Sequence, residues 1–206
     1  MASLPVHRSA GRPRAEEADR KQQAMIETAL EEFARRGFNG ASLRAIAERA
    51  EVSTRTLYNR YPDKVALFAA CIEHSSARIE AVGLRLLDTL EHTLVAHAVA
   101  MIELLSNDVS IRLAMLIYRE GADFPELREV ARKQFEAYQV GPVIVILRSF
   151  GYQHQDLRPI AIQFVTMAFG QWQRGLIFGL PLPTPEETER HAQTVTRIFL
   201  HGIGSP

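Results

Sequence analysis

Residues 42–64, SLRAIAERAEVSTRTLYNRYPDK, constrain this 206-residue chain more than any other stretch. Leu43, Ile46, Ala47 and Ala50 recur at i, i+3, i+4 and i+7, which puts them on one face of a short helix. Ser42 stands just before that face, where its hydroxyl can cap the free amides of the first turn. Val52 breaks the period, and Ser53 is a second N-cap candidate. Leu57 and Tyr61 then form the inward edge of a second helix, leaving Thr54, Arg55, Thr56, Tyr58 and Asn59 largely outside. Ala47 is small enough for the second helix to cross close above the first. Two short helices joined by a tight turn, the second with a polar and basic outer face, suit a DNA major groove.

From about Ala15 to Phe68 the chain resembles the N-terminal domain of TetR-family transcriptional regulators, through ETALEEFARRGFNGASLRAIAERAEVS, TLYNRYPDK and ALF. Val52, Ser53, Leu57, Tyr58, Tyr61 and Lys64 fall at the offsets of that family. Two positions depart from it. Glu51 occupies a turn position that is often glycine, where a positive φ would strain the backbone by on the order of 1 kcal/mol. Asn59-Arg60 replaces the commoner pairing with histidine and leaves the operator sequence open. The resemblance implies an all-α fold in which a three-helix helix-turn-helix domain precedes a helical domain for effector binding and dimerisation. It also implies a phosphate contact by Lys64. The stretch IYREGADFPELREVARKQFEAYQVGP is similar to the C-terminal domain of one subgroup, the AefR-like regulators.

The net charge is zero, with 24 Lys+Arg against 24 Asp+Glu, but it is unevenly spread. Residues 1–64 hold 12 basic against 9 acidic residues, and residues 65–206 hold 12 against 15. That asymmetry suits a protein that places one end on phosphate. No apolar run is long enough to span a bilayer, and no signal-type core opens the chain. One cysteine, Cys71, leaves no internal disulfide and fits a reducing cytoplasm, where it reads as a small buried hydrophobe.

Along the chain, residues 1–14 carry Arg8, Arg12 and Arg14 without a periodic face and read as a flexible basic arm. The DNA-binding domain is expected over 15–64 and the effector-binding and dimerisation domain over 65–206. The first helix is expected from Glu16 to Arg36, with Gly37 as its C-cap. A fourth helix, capped by Asp63, should run to about Glu80 and join the two domains. Helical periodicity then covers Ala81 to Ser106, with Gly83 separating this helix from the fourth, and a short helix covers Val109 to Arg119. Proline opens another helix at Pro125, and Gly141-Pro142 predicts a kink or break. Helices over 157–178 and 185–201 follow, the last opened by the capping box Thr184-Pro185-Glu186-Glu187. No strand alternation is visible.

Tyr58 and Lys64 are candidates for phosphate contacts, with Ser42 and Ser53 presenting hydroxyls or amides to the backbone. Thr54, Arg55, Thr56 and Asn59 are candidates for base edges, since arginine pairs with guanine, asparagine with adenine and threonine with the thymine methyl. Arg44 projects toward the groove edge and suits either role. The helix over 157–178 is apolar nearly all round, and with the last helix it predicts a homodimer interface. Tyr118, Phe135, Tyr138, Phe169, Trp172 and Arg174 are candidate lining for a small-molecule effector chamber, with Arg174 matching an acidic group. No cofactor, metal set, nucleophile elbow, phosphate loop or dinucleotide fingerprint is visible, so no catalytic residue is expected. The expectation is a cytoplasmic, homodimeric repressor released from double-stranded operator DNA by a small, mainly apolar or aromatic effector. The alternative is a ligand-independent DNA-binding architectural or protein-interaction module.

Overall fold

The computed structural model describes residues 12–82, 84–153 and 155–203. Among them the chain is all-α, with no strand. It divides into two compact units between Cys71 and Ile72. The basic arm expected over 1–14 falls mostly outside the described residues, and helix is already present at Arg12.

The first unit contains α1 (Arg12–Gly40), α2 (Leu43–Arg49), α3 (Thr54–Arg60) and the opening turns of α4 (Lys64–Val82). Gly37 interrupts α1 at φ 73, ψ 176, a backbone region essentially restricted to glycine, at the position expected to end the helix. The turn this creates brings Phe38 back onto the helix. Phe33 and Phe38 stack at 5.8 Å, and both meet the edge of Phe68 of α4, at 5.4 and 5.8 Å. Ile46, Ala47, Leu57 and Leu67 complete this core. Leu43 and Ala50, expected on the same face of α2, are only half-buried.

A buried carboxylate ties α2 to α1. Glu32 is wholly buried; its Oε2 accepts from Arg35 at 3.0 Å and from Arg49 of α2 at 3.3 Å. Arg36 Nε lies 3.2 Å from the other oxygen, close enough for ion pairing but not aligned as a hydrogen bond. Arg49 also holds Glu31 at 2.5 Å. A charge at this depth is tolerable only because several cations surround it.

The second unit holds the rest of α4, then α5 (Leu90–Leu105), α6 (Asp108–Glu120), α7 (Pro125–Phe135), a π-helical turn (Glu136–Val140), α8 (Gly141–Ser149), α9 (Arg158–Phe178) and α10 (Pro185–Ile203). Its core gathers Leu94, Met101, Ile146, Phe164, Val165, Phe169 and Trp172, and Phe164 packs on Phe199 of α10 at 5.1 Å. The capping box at the start of α10 forms as expected: Thr184 N donates to Glu187 Oε2 at 2.9 Å, and Glu187 N to Thr184 Oγ1 at 3.3 Å.

One expectation is corrected here and two others are refined. The helix expected from Ala81 does not form as one piece: Ala81 and Val82 end α4, Leu84–Asp88 are non-helical, and α5 begins only after the Thr89 N-cap, whose hydroxyl accepts from His92 N at 3.0 Å. Buried Thr93 holds the preceding loop, accepting from Leu87 N at 2.9 Å. Pro142 does not break its helix. Gly141 N–H donates to the Glu136 carbonyl, five residues back, so the chain takes up a π turn and continues into α8. That wider turn accommodates a proline with no N–H to give and a ring that would press on the carbonyl of Tyr138. A Cβ at Gly141 would stand 3.2 Å from the same Glu136 oxygen, which favours glycine there. Finally, the apolar sides of α9 are largely covered within the subunit by α5, α8 and α10. The exposed residues of α9 are mainly polar, Gln163, Thr166, Gln173 and Arg174, until Ile177 and Phe178 at its end.

Candidate nucleic-acid interface and ligand cavity

The helix-turn-helix is built from local capping chemistry. Ser42 Oγ accepts from Ala45 N at 3.4 Å and Ser53 Oγ from Thr56 N at 3.0 Å, so each serine opens its helix as an N-cap. Between the helices, Glu51 takes φ 54, the only non-glycine residue at positive φ among those described. Val52 N donates to the Ala47 carbonyl at 3.0 Å and closes the turn over that small residue, which is buried.

Leu57 and Tyr61 fix the rotation of α3 by pointing into the core. With about 100° between successive helical residues, Arg55 and Asn59 fall opposite Leu57 and project furthest outward. Thr54 and Tyr58 flank them on one side, both exposed, Tyr58 by 48%. Thr56 lies on the other flank, and its hydroxyl is 2.7 Å from Ser53 Oγ, which engages it in the cap. Arg44 is exposed on α2.

Beside that second flank is a shallow hollow formed by Thr56, Asn59 and Arg60 with Ala18, Lys21, Gln22 and Met25 of α1. Arg60 donates to Gln22 across it. Lys21 and Gln22 were missed in the sequence, although Ala18, Lys21, Gln22 and Met25 share one helical face at i, i+3, i+4 and i+7.

Lys64 has a structural role that its sequence position did not suggest. Its Nζ donates to the carbonyls of Asn39 (3.0 Å) and Ala41 (3.2 Å) and lies 5.0 Å from the centre of the Phe38 ring. The cation thus caps the end of α1 and not its own helix, where Asp63 Oδ1 accepts from Ala66 N at 2.7 Å.

In the second unit a cavity of about 290 Å3 is walled by six helical segments. Ile72, Ser75 and Ser76 come from α4, and Leu104 and Leu105 from α5. Ser110, Leu113, Ala114, Ile117 and Tyr118 come from α6. Ala131, Gln134, Phe135, Tyr138 and Gln139 come from α7 and the π turn, and Phe169, Trp172 and Gln173 from α9. Five of the six residues expected around an effector therefore meet here: Tyr118, Phe135, Tyr138, Phe169 and Trp172. Arg174 does not. Two positions beyond Trp172, it is turned about 200° around the helix and is exposed to solvent. The wall contains no Asp, Glu, Lys, Arg or His. The serines and glutamines of the wall went unseen because a small polar residue at helical spacing looks like an ordinary solvated position.

Among the described residues no group of three metal-ligating side chains occurs, and no single helix is long and apolar enough to cross a membrane.

Residues 25–71 match the profile of bacterial regulatory proteins of the tetR family. No curated protein matches the sequence. Solved structures are similar over most of the chain. A TetR-family transcriptional regulator from Pseudomonas syringae pv. tomato is 26% identical, with 89% of this chain and 96% of that chain covered and a TM-score of 0.67. The flavonoid-responsive regulator FrrA is 25% identical over 89% of this chain and 96% of its own, with a TM-score of 0.68. A protein from Mesorhizobium loti ascribed to the same family shares the fold at 23% identity, over 89% of this chain and 96% of that chain, with a TM-score of 0.71. The capped helix pair, its outward basic and polar face and these likenesses converge: residues 25–71 match the regulatory domain of tetR-family bacterial proteins, and the chain shares the fold of transcriptional regulators of that family.

Proposed function

We propose that the protein is a cytoplasmic homodimeric repressor, released from its operator by a small, mainly apolar or aromatic effector bound in the second unit. The observation that carries this reading is the composition of α4. Its first residue, Lys64, holds the turn leading into α2, and Ile72, Ser75 and Ser76 further along the same helix line the cavity. An effector that fits one setting of α4 better than the other shifts the population by its difference in affinity. FrrA is named for its response to flavonoids, and an aromatic effector of that kind is compatible with a wall of Tyr118, Phe135, Tyr138, Phe169 and Trp172.

In this reading Arg55 and Asn59 touch base edges from the centre of the outward face, with Thr54 beside them. Ser42, Arg44, Ser53, Tyr58 and Lys64 serve the phosphate backbone, and Thr56 contributes mainly through its cap. Pairing two recognition helices on successive major grooves, about 34–36 Å apart, requires a dimer. The dimer proposed through α9 and α10 is supported by exposed Ile177, Phe178 and Ile198. Gly170 supports it too: it lies inside α9, where glycine costs about 1 kcal/mol relative to alanine, yet a Cβ there would meet nothing within 4 Å. A glycine with no reason in its own subunit suits the close approach of a second helix.

The test has two steps. DNA fragments retained by the purified protein are sequenced to obtain the operator, and effector affinity is then measured with and without it. Coupling of about 1–3 kcal/mol changes affinity about 5- to 150-fold, equally in both directions. DNA binding that no cavity ligand alters would instead favour a ligand-independent architectural module.

A further inference from the structure

We infer that the cavity selects an uncharged ligand, with an apolar or aromatic body, a neutral hydrogen-bond acceptor for Trp172 Nε1–H and a neutral donor for Gln134 Oε1. This rests on reading the cavity as the effector site. It replaces the acidic group that Arg174 suggested, since that side chain lies on the outer side of α9.

The wall supplies no counter-charge, so a carboxylate or ammonium entering it would shed its hydration without compensation. Polarity in the wall is instead of the hydroxyl and amide kind. Two of those groups are buried without a protein partner: the indole nitrogen of Trp172 on α9, and Oε1 of Gln134 on α7. Trp172 is 94% buried, at 6% exposure, and its indole can only donate. Gln134 Oε1 can only accept. Both side chains line the cavity, and turned toward a ligand their two atoms, of opposite sense and on different helices, would meet one acceptor and one donor on a single molecule. Ser110 does not compete for that role: its hydroxyl donates to the Leu104 carbonyl at 3.2 Å and accepts from Asn107 Nδ2 at 2.9 Å.

Equilibrium dialysis of the full-length protein against benzophenone derivatives tests this. At pH 7.5, 4-(hydroxymethyl)benzophenone should bind at least about 100-fold more tightly than 4-benzoylbenzoate, which has the same rings but carries a carboxylate. Benzophenone should bind about 3- to 10-fold more tightly than diphenylmethane, which lacks the carbonyl. Trp172→Phe should erase that second preference while leaving diphenylmethane bound. Gln134→Leu, on the other wall, should erase the preference for 4-(hydroxymethyl)benzophenone over benzophenone. It supplies an independent reading should the tryptophan variant fail to fold. Ala114→Phe, which fills the cavity, should abolish binding of all four probes.

Equal affinity for the carboxylate, or carbonyl and hydroxyl preferences that survive both variants, would overturn the inference and leave the effector reading standing. Binding that persists in Ala114→Phe, or no binding of any probe by a protein that still holds operator DNA, would overturn both.

Discussion

Lys64 Nζ donates to the carbonyl of Ala41, 3.2 Å away, so the first residue of α4 secures the strand of backbone that delivers Ser42 to the start of α2. A side chain whose position suggests a phosphate contact is therefore also a structural cap. Lys64→Ala should lower stability by about 1–3 kcal/mol, the range for hydrogen bonds from a charged donor. It should also weaken binding to all operators alike. Urea unfolding, read beside DNA titrations, checks this: a residue that only touched phosphate would leave the unfolding midpoint unchanged.

Arg55 and Asn59 face directly away from Leu57, and alanine at either should act on sequence preference more than on overall affinity. Each change should reduce discrimination at particular base pairs by about 1–3 kcal/mol. Measured on a library of operator variants, uniform loss across every sequence would remove them from base reading. Binding by the wild-type dimer should fall with log salt at a slope of roughly −5 to −9, if about six to ten phosphates are neutralised.

Glu51 at φ 54 is strained in a way glycine would not be. Glu51→Gly should raise stability by about 0.5–1 kcal/mol, the relief exceeding the greater freedom glycine brings to the unfolded chain. An unchanged or lower denaturation midpoint would show that the turn holds no such strain.

Burial pushes the His97 imidazole down to about 4 from its ordinary 6.5. Its folded value lies below its unfolded one, so the unfolded chain binds more protons between those pH values. The stability is therefore full above pH 6.5 and lost as pH falls toward 4, by on the order of 2–3 kcal/mol. His97→Leu should flatten that limb of the stability profile, as read by unfolding at pH 7.5 and pH 5.

Ile198 is 58% exposed on α10 and lies on the face proposed to meet a second subunit. Ile198→Asp should yield monomers that no longer hold operator DNA, because an unpaired buried charge costs several kcal/mol. Light scattering at micromolar concentration decides it: a wild-type monomer that binds DNA normally would sink the dimer.

What the sequence made legible was chemistry confined to a few neighbouring residues. Ser42, Ser53 and Thr184 with Glu187 announce helix starts because their partners lie three positions away, and Gly37 announces an interruption by a backbone conformation that glycine adopts readily. The missed features depend on partners that local pattern cannot supply. Lys64 finds carbonyls 23 and 25 residues away. Thr93 holds a loop where periodicity suggested helix. The proline at 142 signals that a regular turn is impossible, but not whether the chain will break or widen into a π turn. The same limit explains the chamber: aromatic character found five lining residues, but only the rotation of α9 could exclude Arg174. An all-round apolar helix likewise does not say which of its neighbours belong to the same subunit.

Trp172 is the one tryptophan of the chain, and it stands in the cavity wall. The intrinsic ultraviolet emission of the protein therefore comes chiefly from the ring that an incoming ligand must touch. Occupancy can be followed by colour and intensity in unlabelled protein, and on a stopped-flow timescale. The order of events, ligand entry before DNA release or after it, is then open to direct measurement.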